Sequence, residues 1–339
     1  MNGEPPQPGF RVLAPPPEEG MAALAEPPSF SILIPTYQAA DTVGESIESA
    51  LAQVHPAHEV IVVDDGSTDD LDTALRPFGD RIRVVKKENG GGASALNAGT
   101  EAASGEFVAI LDADDAYDRR RIEALAELAR TRPDLDLITT DARFLVGGRE
   151  AGSFLAENPF AIDDQRQAIF ESCFLGGWPA IRRERLRGIG GFDESLRTGY
   201  DWDCWIRLLL AGVKAGLVER PYYEYRLHPD SLTGSRLSSL WDRVRLLEQA
   251  TRNPTVRDDE RPALERAIRH HRSRAVMAEA RAKADGDAPS AHPGRRAFSP
   301  GVEPKARAAA LLAACAPALA RRVLPADRPA EQRLAEDGS

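Results

Sequence analysis

The stretch "FVAILDADDAYD", residues 107–118, runs five apolar positions straight into four carboxylates, Asp112, Asp114, Asp115 and Asp118. An apolar run of that kind, bounded by polar residues, reads as a strand covered on both faces, as in the parallel sheet of an α/β domain. Acidic residues are common where a strand turns into solvent. Four crowded together repel one another, however, and the set calls for a cationic partner.

Outward from this strand the same alternation recurs. "FSILI" (30–34), "EVIVV" (59–63), "IRVV" (82–85) and "LDLITT" (135–140) are further strand candidates. Between the first two, Val43, Ile47, Ala50 and Leu51 share one helix face, as do Leu71, Ala74, Leu75 and Phe78 after the second and Ile122, Leu125 and Leu128 after the fourth. Strands alternating with helices predict an α/β fold around a mostly parallel sheet. Open sheets of this class bind ligands outside the carboxyl ends of their strands, which here read "PTYQ", "DDGSTDD" and "DADD".

The pattern loosens from 150 to about 235 and includes a helix from about 201 to 211, carrying Trp202, Trp205, Ile206, Leu208 and Leu209. Residues 1–28, rich in proline, read as a disordered lead without the features of a secretory signal. The main domain is then expected over 29–235, a helical extension over 236–284, a linker over 285–304 and a C-terminal apolar helix with its tail over 305–339. "AAALLAACAPALA" (308–320), flanked by Lys305, Arg307, Arg321 and Arg322, falls short of the roughly 18 apolar residues of a membrane span. It fits a packed helix or one lying at a membrane interface.

The 339 residues carry 43 basic and 53 acidic side chains, a balance that disfavours broad nucleic-acid binding. Three widely spaced cysteines, Cys173, Cys204 and Cys315, suggest neither a disulfide framework nor a zinc site, so a reducing, cytoplasmic setting is expected. Contact with the inner face of a membrane through the C-terminal helix, and self-association, stay open.

Several stretches carry candidate chemistry. In "VVDDGSTDD", Asp64 and Asp65 end a buried strand and can accept an N–H from a heterocyclic base, while Ser67, Thr68 or Asp69 can cap the following helix. Asp112 and Asp114 offer hard oxygen ligands suited to Mg2+ or Mn2+, whereas Asp115 and Asp118 are assigned to capping or solvating the next helix. Gly90, Gly92 and Ala95 fit a loose dinucleotide fingerprint, but "KKEN" separates them from their strand and the unit is the third along the chain. In "GYDWDCWIRL", Asp201 and Asp203 stand at a helix start, and either can serve as a helix-dipole partner or a general base. In "YYEYRLHPDSLTGS", Arg226 and His228 offer phosphate or metal contacts. Trp178 in "LGGWPAIRR" is a further candidate for the acceptor side.

Taken in order, "SILIPTYQAADTVGESIESALAQ", "EVIVVDDGSTDD", "NGGGASALNAGTEAASGEFVAILDADD", "GIGGFDESL", "YDWDCWIRL" and "YRLHPDSLT" resemble the inverting family 2 glycosyltransferases, which have the GT-A fold. The resemblance covers about residues 29–235. It implies that Pro35, Thr36 and Tyr37, together with Asp64, Asp65 and Asn97, hold the nucleotide of a nucleotide-sugar, commonly UDP. It implies that Asp112 faces the ribose and metal, that Asp114 is a direct metal ligand, that His228 lies by the metal and diphosphate with Arg226 beside it, and that Asp201 is the catalytic base. Two positions depart from the family pattern: Tyr200 where an acid often precedes the base, and Leu96 where an Arg commonly precedes Asn97.

The resemblance implies a metal-dependent inverting transfer to a hydroxyl acceptor, whether saccharide, lipid-linked or protein-linked, in cell-surface polysaccharide or glycoconjugate synthesis. Two other classes compete: another nucleotide-dependent enzyme, such as a nucleotidylyltransferase or dehydrogenase, and a catalytically silent binding protein. The first would need a Gly-rich, basic loop after the first strand, which "PTYQAAD" lacks; the second would have lost Asp112, Asp114 or Asp201.

Overall fold

The structure, a computed structural model, describes residues 11–17, 22–24, 26–227, 236–287 and 293–324. Its centre is one sheet built from β1 (Val12–Leu13), β2 (Phe30–Thr36), β3 (Glu59–Asp64), β4 (Arg83–Lys86), β5 (Phe107–Ile110), β6 (Ala116–Tyr117), β7 (Leu137–Val146), β8 (Arg149–Ser153), β9 (Ala180–Arg182) and β10 (Ala215–Leu227). The strand order is β1-β10-β7-β9-β5-β2-β3-β4, with β6 paired to β10 and β8 to β7. β4, β3, β2 and β5 run parallel, as do β7 and β10, and the short β9 runs antiparallel between β5 and β7. The expected α/β class with a mostly parallel central sheet is therefore what the chain adopts, in the GT-A arrangement.

The helices among the described residues are α1 (Val43–Leu51), α2 (Leu71–Leu75), α3 (Gly92–Ala102), α4 (Arg121–Thr131), α5 (Phe154–Glu157), α6 (Gln165–Glu171), α7 (Arg183–Gly188), α8 (Tyr200–Leu210), α9 (Arg236–Ala250), α10 (Arg261–Asp285), α11 (Pro293–Arg296), α12 (Pro304–Cys315) and α13 (Pro317–Val323). Side chains alternate across a strand, so β2 feeds two cores. Ile32 and Ile34 join Val43 and Ile47 of α1 and Leu125 of α4. Leu33 points the other way, to Leu96 of α3, Ile169 of α6 and Trp205 of α8.

Two boundary expectations are corrected. The lead is not wholly without structure: Val12 and Leu13 pair with Val218 and Leu217 of β10, because the outer edge of β10 leaves backbone groups that need partners. The linker at 285–304 contains α11, and its Ala297 and Val302 are buried in the same cluster as Val276 and Ala280 of α10. Residues 288–292 and the tail beyond 324 lie outside the described residues. Pro317 divides the C-terminal apolar segment into α12 and α13, and α12 turns Ala306, Ala309, Ala310 and Ala313 inward onto that cluster. Among the described residues no helix is long and apolar enough to cross a membrane.

The C-terminal helices are tied to the sheet domain by Arg166 of α6. Its Nε donates to Glu260 Oε1 at 2.6 Å, while its Nη groups donate to the carbonyls of Leu210 at 2.7 Å and Thr255 at 2.8 Å. Glu260 is buried at this junction. Replacing Arg166 by Ala strands that carboxylate, and we expect a loss of about 3 kcal/mol of stability. Urea unfolding followed by circular dichroism measures it; an unchanged midpoint would discount the tether.

Candidate active site

The polar residues collect at the carboxyl ends of β2, β3 and β5. At the end of β2, Thr36 is buried with its hydroxyl donating to the Ile34 carbonyl at 3.0 Å, Pro35 is half-buried, and the Tyr37 ring stands exposed. Gln38 (φ 52°) accepts from the amides of Thr68 and Asp69 at 2.7 and 3.2 Å, and Ala40 N–H donates to Asp69 at 2.8 Å. These bonds stitch the loop after β2 to the loop after β3. They also correct the capping expectation, since α2 starts at Leu71 and its N-cap, Asp70, makes no side-chain bond.

The two carboxylates at the end of β3 differ in their work. Asp64 is buried and accepts the Ser67 amide at 2.8 Å. Asp65 accepts Lys87 Nζ at 2.6 Å and the amides of Gly90 and Gly91 at 3.0 and 2.7 Å. It thereby organises the "NGGG" loop ahead of α3. Gly66 (φ +76°) permits the close approach, because a Cβ there would sit 2.8 Å from the Asn89 amide nitrogen. Lys87 was passed over in the sequence as part of a spacer; its place beside a strand-end carboxylate was the available signal.

Asn97, a nucleotide-side candidate, is corrected to a latch. Its Nδ2 donates to the Phe192 carbonyl at 3.0 Å and to Glu194 at 2.9 Å, and its Oδ1 accepts the Phe192 amide at 2.8 Å. With its amide spent in this way, it fastens the "GGFDE" loop to α3.

At the end of β5 the four crowded carboxylates separate. Asp115 is buried and does not face solvent at a helix start as expected: Tyr223 Oη donates to its Oδ2 at 2.8 Å and the Arg226 amide to its Oδ1 at 2.8 Å. Asp118 accepts the Arg120 amide at 2.9 Å just before α4. Asp112 and Asp114 are half-buried, and among the described residues their carboxylates have no hydrogen-bond donor and no ion pair. Burial first, and then the charges of Asp114 and Asp201, push the Asp112 carboxyl up to about 7. Two adjacent hard-oxygen groups without a protein counter-charge fit a divalent cation. Among the described residues no three His, Cys, Asp or Glu side chains converge as a ligand set, and His228 lies outside the described residues.

Opposite this pair stands α8. Gly199 (φ +72°) turns the chain into the helix, and two buried indoles pin it: Trp202 Nε1 donates to the Ile169 carbonyl at 2.7 Å and Trp205 Nε1 to the Gly176 carbonyl at 2.8 Å. Asp201 in the first turn lies against the backbone of Gly177, where a Cβ would stand 3.5 Å from its Oδ2. Burial lifts its carboxyl above the ordinary range, against the pull of its own first-turn amides and of Arg243. The Tyr200 hydroxyl lies over Gly92 of α3, and burial together with the charges of Asp112 and Asp201 pushes this phenol up.

Three remaining candidates are placed elsewhere by their partners. Trp178 is buried, stacked on Tyr223 at 4.7 Å with Nε1 donating to the Thr140 carbonyl, so its ring belongs to the core. Asp203 is buried and paired with Arg207 at 2.7 Å along α8. Arg226 pairs with Glu45 at 2.5 Å.

Tyr223, unnoticed in the sequence, joins the two arms of the site, since its oxygen also accepts the Asp112 amide at 3.3 Å. Tyr223→Phe removes a donor from a buried carboxylate and is expected to destabilise by about 1–2 kcal/mol. Thermal unfolding measures the loss; a stability equal to wild type would dismiss the clamp.

The family model described as Glycosyl transferase family 2 matches residues 31–190. An uncharacterized glycosyltransferase of Rickettsia typhi is 31% identical over 226 residues, covering 62% of this chain and 67% of that one. The succinoglycan biosynthesis protein ExoU of Rhizobium meliloti is 30% identical over 267 residues, covering 72% and 75%. Among solved structures, residues 1–349 of S. aureus TarS in complex with UDP-GlcNAc align with a TM-score of 0.57 at 18% identity, covering 87% of this chain and 90% of that chain. The mannosyltransferase PcManGT from Pyrobaculum calidifontis, in complex with GDP-Man and Mn2+, aligns with a TM-score of 0.54 at 21% identity, covering 87% and 88%.

Proposed function

The chain belongs to glycosyl transferase family 2, and from that premise we propose that it moves a sugar from a nucleotide-sugar, a UDP-sugar first, to an acceptor hydroxyl with inversion, in the assembly of a cell-surface polysaccharide or glycoconjugate. The observation that carries the reading is the pairing of two partnerless carboxylates, Asp112 and Asp114, with a third, Asp201, whose charge acts on the first. The fold-level likeness to complexes with UDP-GlcNAc and with GDP-Man and Mn2+ is in keeping with it. A dehydrogenase reading loses ground, because the glycine loop follows the edge strand β4 and is held by Asp65.

In this reading Asp64, Pro35, Thr36 and Tyr37 bound the nucleotide base, and Asp65 acts through Lys87 and the glycine loop. A divalent cation on Asp112 and Asp114 would neutralise the charge that grows on the departing diphosphate. Asp201 takes the proton of the acceptor hydroxyl as its oxygen attacks the anomeric carbon from the face opposite the leaving group. One C–O bond forms as the other breaks, so no covalent enzyme intermediate is required. Burial suits Asp201 to the task, since a carboxylate kept from water is a stronger base.

Asp114→Ala is expected to abolish Mn2+-dependent UDP binding by calorimetry, whereas Asp201→Asn keeps binding and loses about 10²–10⁴-fold in transfer. Wild-type UDP binding indifferent to chelator would sink the metal assignment. The raised carboxyl of Asp201 sets the pH dependence. Its base form is lost as pH falls through that raised value, so the acid limb of the transfer rate should lie above the ordinary carboxylate range of about 4. A limb at or below 4 in the kcat/KM profile would exclude Asp201 as the base.

A further inference from the structure

The C-terminal helices bring two arginines to Asp201. Thr198 Oγ1 donates to Asp242 Oδ2 at 2.8 Å, and one turn along α9 Leu246 lies against Gly199, where a Cβ would sit 2.9 Å from its Cδ2. α9 therefore passes the N-terminal end of α8, and Arg243 follows Asp242 directly. On α10, His271 packs edge-on to Trp202 with ring centroids 5.3 Å apart, and Arg274 lies three residues on, along the same face.

Other arginines of these helices have acidic partners: Arg272 pairs with Glu248, Arg281 with Asp285 and Arg296 with Glu279. Among the described residues Arg243 and Arg274 have neither an ion pair nor a hydrogen bond. Burial and then the like charge of Arg274 push the Arg243 guanidinium down, against Cys173 and Asp201. Two guanidiniums thus face a single carboxylate, and an uncompensated positive charge held out of water is costly unless something negative completes it. Neither Asp112 nor Asp114 is among the charges acting most on Arg243, which sets the pair on the side of Asp201 away from the metal carboxylates.

We propose that Arg243 and Arg274 form an anion subsite that holds a carboxylate or phosphate of the acceptor beside the hydroxyl that Asp201 deprotonates. The proposal rests on the glycosyltransferase reading of the site. Guanidinium groups match both anions, since their planar N–H forks bond two oxygens at once. The acceptor class is accordingly an acidic saccharide or a phosphate-bearing polyol, and neutral sugars are poor competitors.

The test uses the full chain with UDP and Mn2+, and reads probe binding by saturation-transfer NMR. Glucuronate and glycerol 3-phosphate are compared with glucose and glycerol. At least one charged probe should bind roughly tenfold tighter than its neutral counterpart, and the stronger arm identifies carboxylate or phosphate as the group. The preference should collapse in the Arg243→Gln, Arg274→Gln double variant and persist at least in part in Arg243→Lys, which keeps the charge. Equal binding of charged and neutral probes by wild type, or a preference that survives the double variant, overturns the proposal. So does an Arg243→Gln enzyme that shifts the pH limb of UDP-sugar hydrolysis yet keeps the charge preference, because Arg243 would then serve only as a counter-ion to Asp201. UDP binding measured on the same samples separates the two readings: its absence in wild type fails the donor reading, whereas its presence without a charge preference fails the anion subsite alone.

Discussion

The site depends on a carboxylate that takes no part in its proposed chemistry. Asp115 is buried behind Asp112 and Asp114, whose charges add to burial in pushing its carboxyl up. Only the Tyr223 hydroxyl and the Arg226 amide make its position tolerable. Both donors come from β10, far along the chain, so the loop after β5 cannot settle before β10 is in place. Ser46 of α1 closes the other side by donating to the Asp115 carbonyl at 2.7 Å. Tyr223 is itself fixed by stacking on Trp178 and by the buried guanidinium of Arg121, 5.2 Å from its ring and 4.7 Å from that of Tyr117. This clamp gives two exposed oxygen ligands a fixed direction, and it does so with groups that cannot be exchanged singly.

How much of this was legible in the sequence follows from where the partners lie. β2, β3 and β5 were readable because strands covered on both faces must be apolar throughout, and their polar ends mark the ligand side without further information. β10 was not readable: it pairs with β7 on one side but only with the short β1 and β6 on the other, and "AGLVERPYYEYRL" mixes its faces accordingly. The same contrast runs through the site residues. Asp112, Asp114 and Asp201 were legible because each keeps its side chain free of structural partners. Asn97 and Trp178 were misread because the groups that occupy them, Phe192 with Glu194 and the Thr140 carbonyl, are remote in sequence. Asp115 differs from Asp114 by one position and by nothing else that a sequence displays.

The helical extension gives a third instance. Its periodicity was plain, yet its contribution to the site was not, because that contribution depends on how α9 and α10 cross α8. Helix positions that look like ordinary solvated arginines acquire a different meaning once their neighbours are a base and a second arginine.

The apolar cluster beneath α3, α6 and α8 also contains Leu246, Leu247, Val256, Leu264 and Ile268, which all lie beyond residue 235. Function and folding therefore divide the chain at different places. A fragment ended where the family motifs end would carry every catalytic carboxylate and still expose one flank of its core to water. The extension is best regarded as part of one cooperative unit: α8 is held from both sides, and loosening α9 or α10 releases the helix that carries Asp201 before it disturbs the sheet.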